Sequence, residues 1–433
     1  MFGYINLNYK KLAIIFPIFL ISTFPISLLI GTAISNIFVG LIVFFLFFNL
    51  IKEKKLEIFN DKIFYLLLYF WFFLIFILFF SIDISNSTSR TFSFIFFIFF
   101  AYSIKYFFNY VNNKYLKYIL FIWSTIIFTV ALDCIYEYFI GQNFIGNKSG
   151  FHGRISSFLR KELKIGHFFL GFAPLIIAYI YSRGKFNKDN LLIILFLIFN
   201  IISFIIGERS NFIRFFFSTL FFLILTYKLR TKKIIFIIFI LFSIILSTIY
   251  SNDYYKTRFL PSEIQEKSKI INYLKSTQYI AHYDTAIKIF LNHPLTGVGL
   301  KNFYLECQDI KYINPNLAAN NLRCSTHPHQ HHLEILSSIG IFGYLFFIFV
   351  FGYFLIISFE SILKNKNSIQ LASYLYIVFF LLTPVPTGSF FTSWGASIFW
   401  LNVGIILAFN KKKIKNFFFF KFIYRLFFAF LNF

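Results

Sequence analysis

The 433-residue chain is 58% hydrophobic and 24% aromatic, holds 72 phenylalanines, and has a formal net charge of +24. Its apolar runs repeatedly reach the roughly 20 residues needed to cross a bilayer, which excludes a water-soluble domain and marks a polytopic membrane protein. In such a chain the positive charge reports orientation in the membrane, and no nucleic-acid partner is expected.

From the N-terminus, apolar segments fall near 12–30, 33–51, 63–82, 91–111, 116–138, 166–182, 190–206, 211–227, 233–250, 333–357, 368–384 and 390–409. They predict an all-α polytopic membrane protein of about twelve transmembrane helices. The first run lacks a small-residue cleavage site and a second follows at once, so the expectation is a retained helix and a wholly mature chain. Pro17, Pro25 and Gly31, followed by TAISN, favour a tight hairpin between the first two helices. Phenylalanine is so abundant that its stripes are read as lipid-facing and core filler.

With the N-terminus inside, the N-terminal segment, the loops KEKKLEIFNDK, 105–117, SRGKFNK, KLRTKK and ESILKNKN and the tail beginning NKKKIKN hold 24 of the 41 Lys and Arg in short stretches. The positive-inside bias then places both termini in the cytoplasm. Residues 1–250 carry helices one to nine, 251–332 form a large outer loop, and 333–409 carry helices ten to twelve. The basic, aromatic tail 410–433 is expected to be cytoplasmic or interfacial. Amphipathic segments near 262–276 and 281–292 make the loop partly helical.

The parity that puts 251–332 outside also places 139–165 and 207–210 there. All eight histidines, His152, His167, His282, His293, His327, His329, His331 and His332, lie in or beside an outer segment. Asp133 and Glu137 near the outer end of the fifth helix are expected to pair with basic residues of 139–165. Cys307 and Cys324 share the long loop, where a disulfide would close about 17 residues and stabilise by roughly 3 kcal/mol in an oxidising compartment. Cys134 reads as a buried thiol. The cluster His327, His329, His331, His332 invites a metal reading, but no Cys-x-x-Cys or His-x-x-x-His spacing accompanies it, and no metal is expected.

The stretch CSTHPHQHHLEILSSIGIFGYLFF (324–347) contains His329 and Gln330, nine residues, then Gly340 and Gly343 in a Gly-x-x-Gly pair. This pattern resembles the signature of the O-antigen ligase family, within the lipid-linked glycan ligase/polymerase superfamily of bacterial inner-membrane proteins. HYDTAIKIFLNHPLTGVGLKNF (282–303) resembles the family's amphipathic helix and Pro-x-x-Gly-x-Gly turn, here Pro294, Gly297 and Gly299. GERSNF (207–212) is similar to its arginine-bearing outer turn, matched by Arg209. GRISSFLRKELKIGHFFLGFAPL (153–175) resembles a further family stretch through Arg154, Phe158, Glu162 and Gly166. The second loop arginine usual in the family is missing before the amphipathic helix; Arg258 lies farther back and His282 stands at the helix start.

The resemblance implies a GT-C-like glycosyltransferase architecture with a periplasmic active site in the inner (cytoplasmic) membrane. It implies transfer of a glycan from undecaprenyl diphosphate to a lipid A–core or other glycan acceptor among membrane lipids, with no cofactor. A polymerase using a second lipid-linked glycan as acceptor is the alternative, and a transporter or flippase the rival from another class. His329 and Arg209 are the catalytic candidates; Arg154, Arg214, Arg258 and His282 the substrate-binding ones. Gly297, Gly299, Gly340, Gly343, Cys307 and Cys324 are the structural ones. The chemistry is consistent: arginine stays charged and binds phosphate oxygens bidentately, and histidine titrates where a base is useful. The bland reading of a helix-end arginine is a snorkelling anchor, with Glu162 and Glu208 as its partners.

Overall fold

The computed structural model describes residues 2–410, apart from 55, 111, 112, 150–152, 161, 185–187, 227–230 and 261–275. Most of the expected amphipathic segment 262–276 and the tail 411–433 therefore lie outside the described residues. Among those residues the chain is all-helical, without strands.

The helices run α1 (Phe2–Ile30), α2 (Thr32–Glu53), α3 (Lys62–Leu78), α4 (Ile84–Tyr110), α5 (Asn113–Ile140), α6 (Ile165–Arg183), α7 (Lys188–Ile205), α8 (Arg209–Thr226), α9 (Thr231–Ser251) and α10 (Asp253–Phe259). Then follow α11 (Gln278–Asn292), α12 (Phe303–Glu306), α13 (His331–Asn365), α14 (Ser368–Leu382) and α15 (Ser393–Phe409). Among the described residues eight helices are long and apolar enough to cross a membrane. Four shorter apolar helices, Lys62–Leu78, Asp189–Ile205, Ser368–Leu382 and Ser393–Phe409, occupy further expected spans. Gly31 separates α1 from α2, as the hairpin reading requires.

Hydropathy misjudged one boundary instructively. The segment expected from 91 begins at Ile84, where the Asp83 carboxylate accepts Asn86 N–H at 3.0 Å, as a helix cap does. Thr88 and Thr91 satisfy their hydroxyls on the Ile84 and Ser87 carbonyls at 2.7 and 3.0 Å, so the polar first turns leave no hydroxyl unpaired there.

Between helices, packing uses close approach and polar ties. Gly404 of α15 faces the Ala101 carbonyl of α4, where a Cβ would come within 2.6 Å, so only a glycine lets these backbones meet. Asn49 donates to Ala13 O, Trp123 to Ile21 O and Asn402 to Gly171 O, each satisfying a polar group inside the apolar bundle.

Among the described residues, Asp133 and Glu137 pair with no basic side chain. Both are buried and accept from the returning loop: Asp133 from Phe144 N–H (2.7 Å) and Ser157 Oγ (2.5 Å), Glu137 from the Ser156 and Ser157 N–H groups (3.2 and 2.7 Å). Backbone donors replace the expected cations and pin the approach to Arg154. Cys134 beside them is a buried free thiol.

Candidate active site

The four motif glycines and the Pro294 turn form one device. Gly340 has φ +67, so α13 breaks there. Into the break the 294–299 turn inserts: Ile341 N–H donates to Pro294 O (2.8 Å), Val298 N–H to Ser337 O (3.0 Å) and Gly299 N–H to Ser338 O (2.9 Å). A Cβ on Gly340 would meet Thr296 N at 2.6 Å and one on Gly297, itself at φ +66, would meet Ile339 N at 2.5 Å. Positive φ and backbone-to-backbone contact both demand glycine. Gly343, a turn on, is buried against Ile339 of its own helix.

Gln330 caps α13, its side chain accepting Leu333 N–H at 2.7 Å, which gives the motif's second position a structural purpose. The cap also divides the histidines. His331 and His332 enter the helix and both donate from Nε2 to Leu381 O, at 3.0 and 2.6 Å. His327 and His329 stay outside it, with ring centroids 4.2 Å apart. The four histidines are thus two pairs, and among the described residues no group of three or more His, Cys, Asp or Glu is placed to hold a metal ion.

The Cys307–Cys324 disulfide ties the segment leading to His329 back to α12, with Cα atoms 5.5 Å apart. Arg323 reinforces it by donating to Cys307 O and Gln308 O at 3.1 and 3.2 Å.

A cavity of about 830 Å³ opens in front of His329. Arg154, Arg209 and Arg258 all line it, with Glu208 as their nearby acid. The turn at 206–209 gathers them. Ile155 N–H donates to Ile206 O (3.0 Å), Arg258 Nε to Gly207 O (2.8 Å), and Arg209 Nη1 to Arg258 O (3.4 Å). Arg154 donates to Leu163 O (2.8 Å) and stands 3.7 Å from Glu208. Glu208 is already held by Gly166 N–H (2.9 Å) and Asn211 (2.6 Å), and burial raises its pKa against the pull of Arg154. Burial first, then the fields of Arg154 and Arg209, lowers the Arg258 pKa to about 10, so it keeps its charge at neutral pH. Three guanidiniums against one carboxylate leave this wall in positive excess, the arrangement a multiply charged anion relieves.

His329 sits at φ +55 and its carbonyl accepts Thr387 N–H at 2.7 Å. Burial lowers its pKa, with Thr387 partly opposing, which favours the neutral ring that can accept a proton. Burial also lowers His327 to about 3 and His282 to about 4, helped by their neighbour His329.

Two sequence candidates sit elsewhere than on the cavity wall. His282 is buried behind His329, ring centroids 5.1 Å apart; because the Ser325 hydroxyl proton goes to His327 O, His282 donates from Nδ1 to Ser325 Oγ at 3.3 Å. Arg214 is only 2% exposed and spends its guanidinium on Thr383 Oγ1 (2.9 Å), Val385 O (3.0 Å), Pro386 O (3.1 Å) and Asn211 (3.3 Å). It anchors the 383–387 backbone. Among the described residues, Glu162 pairs with Lys164 at 2.8 Å and with no arginine.

That anchored segment went unread in the sequence. Residues 384–389 wall the cavity between α14 and α15. Glu334 of α13 accepts from Ser389 Oγ and Phe390 N–H (2.8 Å), and Arg90 donates to Phe391 O at 3.1 Å. Span parity already places 384–390 on the outer face, and its Pro, Thr and Gly content is the signal that would have found it.

Residues 191–348 match the family model described as O-antigen ligase. No curated protein matches the chain.

Proposed function

We propose that this membrane protein, a member of the O-antigen ligase family through residues 191–348, is a ligase that moves a glycan from undecaprenyl diphosphate to lipid A–core on the periplasmic face. The observation that carries the reading is that His329 and the Arg154, Arg209 and Arg258 group line one cavity. In the proposed reaction an acceptor hydroxyl oxygen bonds to the anomeric carbon of the donor. The bond from that carbon to the phosphate oxygen breaks, and its electron pair leaves with the diphosphate.

Arg209, Arg154 and Arg258 bind the diphosphate and offset the charge that develops on it, with Arg258 serving where the family's usual loop arginine is missing. His329 accepts the hydroxyl proton through its neutral ring. His282 supports the His329 ring from behind, and Arg214 holds the opposite wall. The reading calls on about twelve spans with both termini in the cytoplasm, and no cofactor or nucleotide is assigned a role.

A polymerase that takes a second lipid-linked glycan as acceptor has the same donor chemistry. Purified protein given undecaprenyl-diphosphate glycan, with and without lipid A–core, separates the two. Product that requires core and is lost in His329→Ala supports the ligase; lengthened lipid-linked glycan without core makes it a polymerase. Neither product from folded protein, with donor competence verified separately, would sink both.

A further inference from the structure

The cavity is also lined by Thr32, Arg90, Lys164, His167 and Trp394; Arg90 donates to Phe391 O and Lys164 faces the Trp394 ring, so both stand beside residues 391–394, the second end of the cavity. None of these lies within the 191–348 match, which supplies Arg209, Arg258 and His329 at the first end. Two cations stand here. Arg90, at the outer part of α4, gives one nitrogen to Phe391 O, and none of the described ion pairs includes it. Glu334 lies within its field, but that carboxylate is occupied by Ser389 and Phe390 N–H. Lys164 holds its Nζ 5.8 Å from the Trp394 ring centre and pairs with Glu162, both side chains about half exposed. A bridge so exposed is weak and exchanges readily for a better-placed anion.

A diphosphate engaged by the three arginines of the first end leaves Arg90 outside every described ion pair and Lys164 held only by its exposed pair with Glu162. A neutral sugar would gain little from a half-buried guanidinium, whereas a carboxylate or phosphate forms a charge-assisted pair with it. We propose that the second end is an anion-selecting subsite in which Arg90 and Lys164 bind an acidic group carried by a sugar of the donor or acceptor glycan. The proposal rests on the glycan-transfer reading for its biological ligand, but its binding test does not require turnover.

The test is calorimetric titration of the full chain in detergent, its three-arginine wall first saturated with a sugar-free polyprenyl diphosphate, with three matched trisaccharides: neutral, uronic-acid-bearing and phosphorylated. Wild type is expected to bind an acidic form about tenfold or more tightly than the neutral one, the scale of one charge-assisted bond. Arg90→Gln/Lys164→Gln is expected to erase that preference while Arg209→Gln keeps it. Absence of preference in wild type overturns the proposal, as does its loss in Arg209→Gln with retention in the double variant. Lys164→Gln alone, at an exposed position, provides the reading if Arg90→Gln impairs folding, and is expected to weaken the preference. Transfer assays with the acidic sugar placed on the donor in one arm and on the acceptor in the other assign its source. An acid preference that persists where no glycan is transferred leaves the subsite standing and refutes the transferase reading.

Discussion

Residues 324–343 and residues 383–395 wall the same cavity, yet the first stretch holds four histidines and two spaced glycines while the second, TPVPTGSFFTSWG, holds no titratable side chain. The first presents chemistry of its own. The second presents shape, and borrows its fixation: Arg214 holds 383–386, Glu334 holds 389–390, Arg90 holds 391, and Thr387 N–H reaches His329 O. Side chains that react have to be particular residues and so leave a signature. Backbone acceptors are offered by every residue and leave none.

The largest expected effect tests that division directly. His329→Ala is expected to lower glycan transfer by about 10²- to 10⁴-fold, the range of a lost general base, with thermal unfolding little changed. Thr387→Val on the facing stretch removes a hydroxyl that has no hydrogen-bond partner and keeps the N–H that serves His329, so transfer is expected within about threefold of wild type. Comparable losses in the two variants would erase the distinction. Because the proposed role of His329 needs the neutral ring and burial lowers its pKa, activity is expected to persist below the ordinary imidazole value of 6.5 and to fall only at more acid pH. A pH profile of kcat/KM whose acid limb lies at or above 6.5 would contradict this.

Next in size is the covalent tie that only the first stretch has. Cys307→Ser removes a cross-link between residues 17 apart, and a loss of roughly 3 kcal/mol in stability is expected. Thermal unfolding should show the drop, a reductant should reproduce it in wild type, and Cys134→Ser should not.

Glu334→Gln weakens the hold on the second stretch from α13. Its amide can accept only one of the two bonds that Ser389 Oγ and Phe390 N–H now donate, and about a tenfold loss of transfer is expected. Arginine-dependent donor binding should be unchanged in the same variant. If donor binding falls in step with transfer, the segment does more than shape the acceptor side.

Legibility followed the same line across the molecule. The family resemblance singled out Arg154, Arg209 and His329, span parity put them on one face, and all three line the cavity. Arg214 was a lesser candidate, matched to no motif position; it lies deeper along α8 than Arg209, where the available acceptors include the carbonyls of 385 and 386. Spacing marked Gly340 as a packing residue; that it breaks the helix to admit the 294–299 turn depends on a φ that spacing does not encode. Asp133 and Glu137 looked like partners for cations because a sequence displays charges and hides backbone N–H groups. The division of the histidines into two pairs turned on one cap.

That cap sets the smallest effect. Gln330 gives one side-chain oxygen to Leu333 N–H, and Gln330→Ala is expected to cost about 1 kcal/mol in thermal stability, the usual worth of such a bond. Asparagine has the same amide on a shorter arm and is a stronger capping residue, so Gln330→Asn should recover that stability and keep transfer near the wild-type rate. This pair of variants sharpens the comparison within the first stretch itself. If the residue after His329 serves only to start the helix on time, stability and transfer rise and fall together across alanine and asparagine. If Gln330→Asn is as stable as wild type yet transfers no better than His329→Ala, then Gln330 belongs with the chemistry, and the first stretch presents two reacting groups to the cavity where the histidine alone was counted.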